Sequence, residues 1–214
     1  ELEPDEFYSG SKWEMKGKVL EILGRNDESA QAYERALELA DKAVTEYKTS
    51  TDLNLSAAWG FKGQLLDEQG RYEEALEAMA NSSRANPEDA FAWAVMGDIL
   101  ADRLGRYNES IESYNKSLEI DPRNIGALRG EGYALASLGR YDEALNYYNR
   151  ALKIDSRFAR AWQGLGDALR NMGMYNESIQ AYVRAIAEMP QQPQYALIGK
   201  GMALDSLGRY DEAQ

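Results

Sequence analysis

The chain has 214 residues, 24 Lys and Arg against 36 Asp and Glu, a formal net charge of −12, and neither Cys nor His. It therefore offers no disulfide, thiolate nucleophile, Ser-His-Asp triad or imidazole-held zinc, and a metal site would need carboxylate oxygens alone. The negative charge speaks against unaided binding to nucleic acid or anionic lipid, and no apolar run approaches the roughly 20 residues of a membrane-spanning helix.

From the N-terminus, Trp13, Gly17 and Leu20 lie at i, i+4 and i+7, along one stripe of a helix. Gly24-Arg25-Asn26 closes it. Asp27 to Lys48 is rich in Ala, Leu, Glu and Lys without Gly or Pro, which predicts a second helix lengthened by two or three turns. Thr49, Ser50, Thr51, Asp52 and Asn54 read as a polar loop. The stripe then returns as Trp59-Gly63-Leu66, Trp93-Gly97-Leu100, Leu128-Gly132-Leu135, Trp162-Gly166-Leu169 and Leu197-Gly201-Leu204. A glycine turn follows each one: Gly70-Arg71-Tyr72, Gly105-Arg106-Tyr107, Gly139-Arg140-Tyr141, Gly173-Met174-Tyr175 and Gly208-Arg209-Tyr210. The turn glycines stand 46, 35, 34, 34 and 35 residues apart. Two landmark sets with one shared period define a repeat.

Each unit reads as two helices. The turn glycine suits the left-handed residue just past a helix C-terminus. Asn108, Asp142, Asn176 and Asp211 are expected as N-caps of the second helices. A second stripe follows, as in Ala144, Tyr148 and Ala151, and Pro87, Pro122 and Pro190 stop it, with Ser156 at the equivalent place in the fourth unit. A mid-helix glycine costs about 1 kcal/mol against Ala, so the facing helix is expected to pack there. Ala75, Ser110, Ala144 and Ser178 are the candidates for that contact. One apolar stripe per helix needs a neighbour to cover it, so the units stack into an all-α solenoid. The Ala101–Leu104 stretch adds one residue to the third unit, and Gln191-Gln192-Pro193 adds one before the last.

Trp-x-x-x-Gly-x-x-Leu, Gly-Arg-Tyr-x-Glu-Ala, Ala-Leu and a closing Pro together resemble the tetratricopeptide repeat (TPR) signature over about residues 10 to 214. The resemblance implies a right-handed superhelical solenoid of antiparallel helix pairs, about eleven helices in a single array. The units are 10–43, 56–89, 90–124, 125–158 and 159–193, with 44–55 an insertion and 194–214 a partial sixth unit. The sixth unit breaks off inside its second helix, so the chain is expected to be a fragment of a longer array.

The resemblance further implies that first helices line a concave surface that holds extended peptides. The residues expected to face it are Phe61, Gln64, Asp67, Phe91, Asp98 and Asp102 in units two and three. In units four and five they are Arg129, Tyr133, Arg160, Gln163, Asp167 and Arg170. The first group is acidic. The second holds three Arg, suited to bidentate capture of carboxylates. The pairs at the positions of the family's chaperone-tail clamp, such as Arg129/Tyr133 and Gln163/Asp167, do not match that clamp, so such tails are not expected as ligands. The recurrent Trp and Tyr residues read as inter-helix packing, and paired carboxylates such as Glu73/Glu74 as solvated surface.

Five Asn-x-Ser triplets, at Asn54, Asn81, Asn108, Asn115 and Asn176, exceed the one or so that chance would give. Extracellular glycosylation would explain them, as would repeat architecture with Asn108 and Asn176 engaged as caps. The compartment stays open between a cytoplasmic and a glycosylated extracellular protein. With no catalytic constellation and no cofactor or metal motif, the expectation is a non-catalytic scaffold for a protein or peptide partner. The alternatives are a structural array that self-associates through uncapped ends, or the adaptor segment of a larger multidomain protein. Neither nucleic acid nor membrane is expected as a partner.

Overall fold

A computed structural model describes residues 4–47 and 52–209. These form eleven α-helices: α1 (Pro4–Ile22), α2 (Asn26–Tyr47), α3 (Asp52–Glu68), α4 (Tyr72–Ala85), α5 (Ala90–Asp98), α6 (Tyr107–Ile120), α7 (Ile125–Ser137), α8 (Tyr141–Ile154), α9 (Ala159–Asn171), α10 (Tyr175–Glu188) and α11 (Gln194–Ser206). The chain is all-α, in sequential antiparallel pairs. It divides into two compact units, Glu1–Ile99 and Leu100–Gln214. In the first, each helix from α1 to α5 packs on the next; in the second, α6 to α11 do the same, and α9 also meets α7 and α11.

The turn glycines end the first helices as their chemistry requires. Gly139 and Gly173 sit at φ +77° and +78°, where a Cβ would be strained. Around Gly139 the amide of Arg140 donates to Leu135 and that of Gly139 to Ala136, at 2.9 and 3.0 Å, which satisfies carbonyls the helix leaves open. The extra residue of the third unit is taken up by a π-helical turn at Ile99–Arg103, where the Arg106 amide reaches back to Leu100 at 2.7 Å.

The expected N-caps are corrected. Tyr107, Tyr141 and Tyr175 already open the second helices, so Asn108, Asp142 and Asn176 lie inside the first turn and face solvent. The capping position belongs to Arg71, Arg106, Arg140 and Met174, none of which makes a side-chain cap bond. The arginine serves differently. Arg140 Nε and Nη2 donate to the two oxygens of Glu143 at 2.7 Å each, and Arg25–Glu28, Arg71–Glu74 and Arg106–Glu109 repeat the fork. These exposed pairs hold the turn's geometry more than they add stability. True side-chain caps occur at first helices: Asp89 accepts from the Phe91 and Ala92 amides of α5, and Asn124 from Ala127 of α7.

The long second helix exists: α2 has 22 residues where α4, α6, α8 and α10 have 14. The polar loop behind it is shorter than expected, because α3 begins at Asp52 and includes Asn54. Thr49, Ser50 and Thr51 lie outside the described residues, as does Asp211 with the start of the sixth unit's second helix.

The mid-helix glycines explain how the layers pack. A Cβ on Gly166 would lie 2.8 Å from the Tyr182 ring, and one on Gly132 2.8 Å from that of Tyr148. The same rings meet the following first helix, at 2.5 Å from a Cβ on Gly164 (Tyr148) and 2.4 Å from one on Gly199 (Tyr182). Each ring is thus held between two bare backbones. In the first unit Tyr33 covers Gly17 and Met79 covers Gly63. Of the small residues expected to make this contact, Ser178 sits beside it and donates to the Gly166 carbonyl at 2.9 Å, the contact itself being made by the ring; Ser29, not among those expected, donates likewise to the Gly17 carbonyl at 2.8 Å. All five sequon serines are buried, namely Ser56, Ser83, Ser110, Ser117 and Ser178. They occupy small positions in the helix packing.

One buried group departs from this pattern. Glu131 on α7 is 2% exposed, and its Oε2 has no hydrogen-bond partner. Burial raises its pKa, while the Tyr147 hydroxyl and the charges of Arg150 and Arg140 act the other way and Glu143 reinforces the rise. Tyr147 in turn is pushed up to about 12 by burial and by this carboxylate. A native-state carboxyl pKa above its unfolded value means that folding favours the protonated form. Its contribution is therefore lost as pH rises from the ordinary carboxylate range through the raised native value.

Two results are expected. Gly164→Ala lowers the urea midpoint by the equivalent of about 1–2 kcal/mol, because the Tyr148 ring cannot yield, whereas Gly60→Ala, whose Cβ would meet only Ser82 Oγ at 3.5 Å, raises it by up to about 1 kcal/mol through helix propensity. Glu131→Gln is more stable than the native chain at pH 7 by about 1 kcal/mol, and the difference shrinks as pH is lowered towards 4 in parallel denaturation series.

Candidate functional site

First helices one repeat apart place like-numbered positions side by side. On α7 these are Arg129, Tyr133 and Ala136; on α9, 34 residues on, Gln163, Asp167 and Arg170, with Arg160 one turn earlier. Together they border a recess of about 590 Å³. All six sequence-selected residues of α7 and α9 meet there: Arg129, Tyr133, Arg160, Gln163, Asp167 and Arg170. Tyr148, Asn171, Met189, Gln192 and Tyr195 complete much of the wall.

The recess is cationic in an acidic chain, with three guanidinium groups against the single carboxylate of Asp167. That carboxylate is partly spoken for. Tyr182 donates to its Oδ1 at 2.7 Å, and Arg170 Nη2 stands 3.6 Å from the same oxygen. Burial pushes the Asp167 pKa up, against the Tyr182 bond and the Arg170 charge. Burial and the same bond raise the Tyr182 hydroxyl. Arg170 is poorly engaged: Nη1 faces the Met202 thioether at 3.0 Å, a weak acceptor, and Nε is buried without a partner. Arg160 is exposed and has no ion-pair or hydrogen-bond partner among the described residues. Tyr133 stands edge-on to Tyr107, centroids 6.1 Å apart at 79°, which fixes its ring at the rim.

The other sequence-selected residues belong to the first unit or its edge. Phe61, Gln64 and Phe91 border a smaller recess of about 280 Å³ with Ser56, Gly60, Met79 and Asp89. Phe61 is partly used in packing, since its ring lies 2.9 Å from a Cβ placed on Gly10. Asp67 and Asp98 are half-buried and stand outside that recess, and Asp102 is exposed. Two carboxylates of this unit share one cation, Lys18 bridging Glu14 at 2.5 Å and Glu68 at 2.7 Å.

Sequence reasoning missed Tyr195, Ile198 and Met202 of α11. Their signal was present: they stand 35 residues beyond Arg160, Gln163 and Asp167, in the same register. They are 75%, 61% and 51% exposed despite their apolar bodies. Among the described residues, no group of three or more Asp or Glu is placed to hold a metal, and no helix is long and apolar enough to cross a membrane.

Sequence profiles of the tetratricopeptide repeat match residues 13–43, 62–125 and 159–192, and a TPR repeat profile matches 132–173. The chain is a tetratricopeptide repeat protein. Among solved structures, this TPR chain is similar to PilW, described as a widely conserved type IV pilus biogenesis factor, at 18% identity and a TM-score of 0.76 over 96% of this chain and 89% of that one. It is similar to a tetratricopeptide repeat protein from Parabacteroides merdae ATCC 43184, at 20% identity and a TM-score of 0.71 over 96% and 76% of the two chains. It is also similar to YrrB, described as a TPR protein with an unusual peptide-binding site, at 20% identity and a TM-score of 0.58 over 86% and 88%. These likenesses speak to the fold. No curated protein matches the sequence. TPR proteins generally serve as protein-interaction scaffolds, and the fold is typically non-catalytic.

Tyr182→Phe removes the donor to Asp167. It is expected to lower stability by about 1–2 kcal/mol and to move the Asp167 carboxyl titration further up, read by urea denaturation and carboxyl NMR.

Proposed function

We propose that this TPR protein is a non-catalytic scaffold that holds an acidic, extended segment of a protein partner against α7 and α9. The observation that carries the reading is the meeting of Arg129, Arg160 and Arg170 around one recess, opposed by a single, already bonded carboxylate. Guanidinium forks suit carboxylates, and the partly enclosed setting strengthens such pairs relative to open water. Tyr133 and Tyr148 add apolar wall for backbone and side-chain stems, while Gln163, Asn171 and Gln192 offer amides to a peptide main chain. A peptide also avoids the repulsion that the chain's net charge of −12 would otherwise impose on an acidic partner, because the recess concentrates positive charge locally. YrrB, of like fold, is described as having an unusual peptide-binding site, which is in keeping with this reading.

The test is fluorescence anisotropy with a labelled Glu-rich peptide. Arg129→Glu/Arg160→Glu/Arg170→Glu is expected to weaken binding about a hundredfold, and salt to weaken it for the native chain. Equal affinity of native and variant chains would remove the proposal.

A further inference from the structure

The recess does not end at α9. The positions that carry Arg160, Gln163 and Asp167 on α9 carry Tyr195, Ile198 and Met202 on α11. The surface therefore changes character within one repeat, from guanidinium and amide to apolar. Tyr195 borders the recess directly, and Met202 touches Arg170, so the two zones are continuous. All three α11 side chains are more than half exposed, although they stand three and four residues apart on one helix and so form a contiguous apolar patch.

We infer that the peptide of the proposed site carries two determinants, carboxylates that meet Arg129, Arg160 and Arg170 and a large apolar side chain that covers Tyr195, Ile198 and Met202. The inference rests on the groove reading above and adds the second determinant and its spacing. Neighbouring packed helices lie about 8–10 Å apart, and an extended chain advances about 3.3 Å per residue. One helix step therefore corresponds to about three residues. A ligand whose carboxylate meets α9 places its apolar anchor about three residues away, on the side opposite a second carboxylate that meets α7.

Arg170 joins the two halves. It now faces a thioether and a carboxylate oxygen at 3.6 Å, with its Nε N–H unpaired. A ligand carboxylate is a far stronger acceptor than the thioether. Drawing the guanidinium towards it frees Met202, an adaptable side chain, to close on the apolar anchor. The two determinants should therefore reinforce one another.

The experiment compares labelled extended peptides on the native chain: one with two carboxylates three residues apart, and the same peptide with Leu three residues beyond, in both chain directions. Leu is expected to tighten binding about tenfold in one direction. Ile198→Ser, an exposed position, is expected to cut that gain more than it cuts affinity for the acid-only peptide, with the fold checked by circular dichroism. If the acid-only peptide binds and Leu adds nothing in either direction, the second determinant is overturned and the acidic groove stands. The second determinant also falls if Leu adds affinity that Ile198→Ser leaves intact. If neither peptide binds, the groove reading itself fails, and this inference with it.

Discussion

The contact on which the packing depends is a tyrosine ring laid on a glycine. In a helix every side chain keeps neighbouring backbones apart, and an absent Cβ lets another helix approach to ring thickness. Tyr148 and Tyr182 use this twice each, against Gly132 and Gly164 and against Gly166 and Gly199. One ring thus fixes both the partner helix within a repeat and the first helix of the next. The helix-propensity cost of each glycine, about 1 kcal/mol, is offset by burial of an aromatic side chain. The placement of first helices follows from that double contact, and with it the alignment of Arg129, Gln163 and Ile198 on successive helices.

That alignment turns a period in the sequence into a surface. A residue's place relative to the mid-helix glycine decides whether it is packed or presented. Positions two residues after it are buried in the later first helices, as with Leu65, Ala134, Ala168 and Ala203. In α7, α9 and α11 the position three before it is presented, and there the chemistry varies from one helix to the next, whereas the position one after can be tied into the packing, as Asp167 is to Tyr182. Arg129, Gln163 and Ile198 are three such choices.

The helices, their pairing and the left-handed glycines were legible because each depends on local backbone physics that repeats. The cationic recess was legible for the same reason, since register alone brings Arg129, Arg160 and Arg170 onto neighbouring helices. The N-caps were misread because a residue type favoured at caps, as at Asn108, is equally at home in a solvated first turn, and the preceding Arg enters the helix on backbone geometry alone. The role of Tyr148 was missed because apolar pattern marks a residue as inward without saying what it touches. Glu131 was invisible for the opposite reason: a carboxylate in the helix pattern reads as surface, and only the packed structure shows it enclosed.

The five Asn-x-Ser triplets acquire a different meaning from where their serines go. In each, the hydroxyl residue fills a small buried position, Ser110, Ser117 and Ser178 with no accessible surface at all. An enzyme that must grip both ends of the triplet finds it only in chain that has not yet folded. In a compartment that attaches sugars, folding and modification therefore become competitors in time. A helix pair that closes early keeps its asparagine bare, while a slow one carries a glycan before its serine is withdrawn.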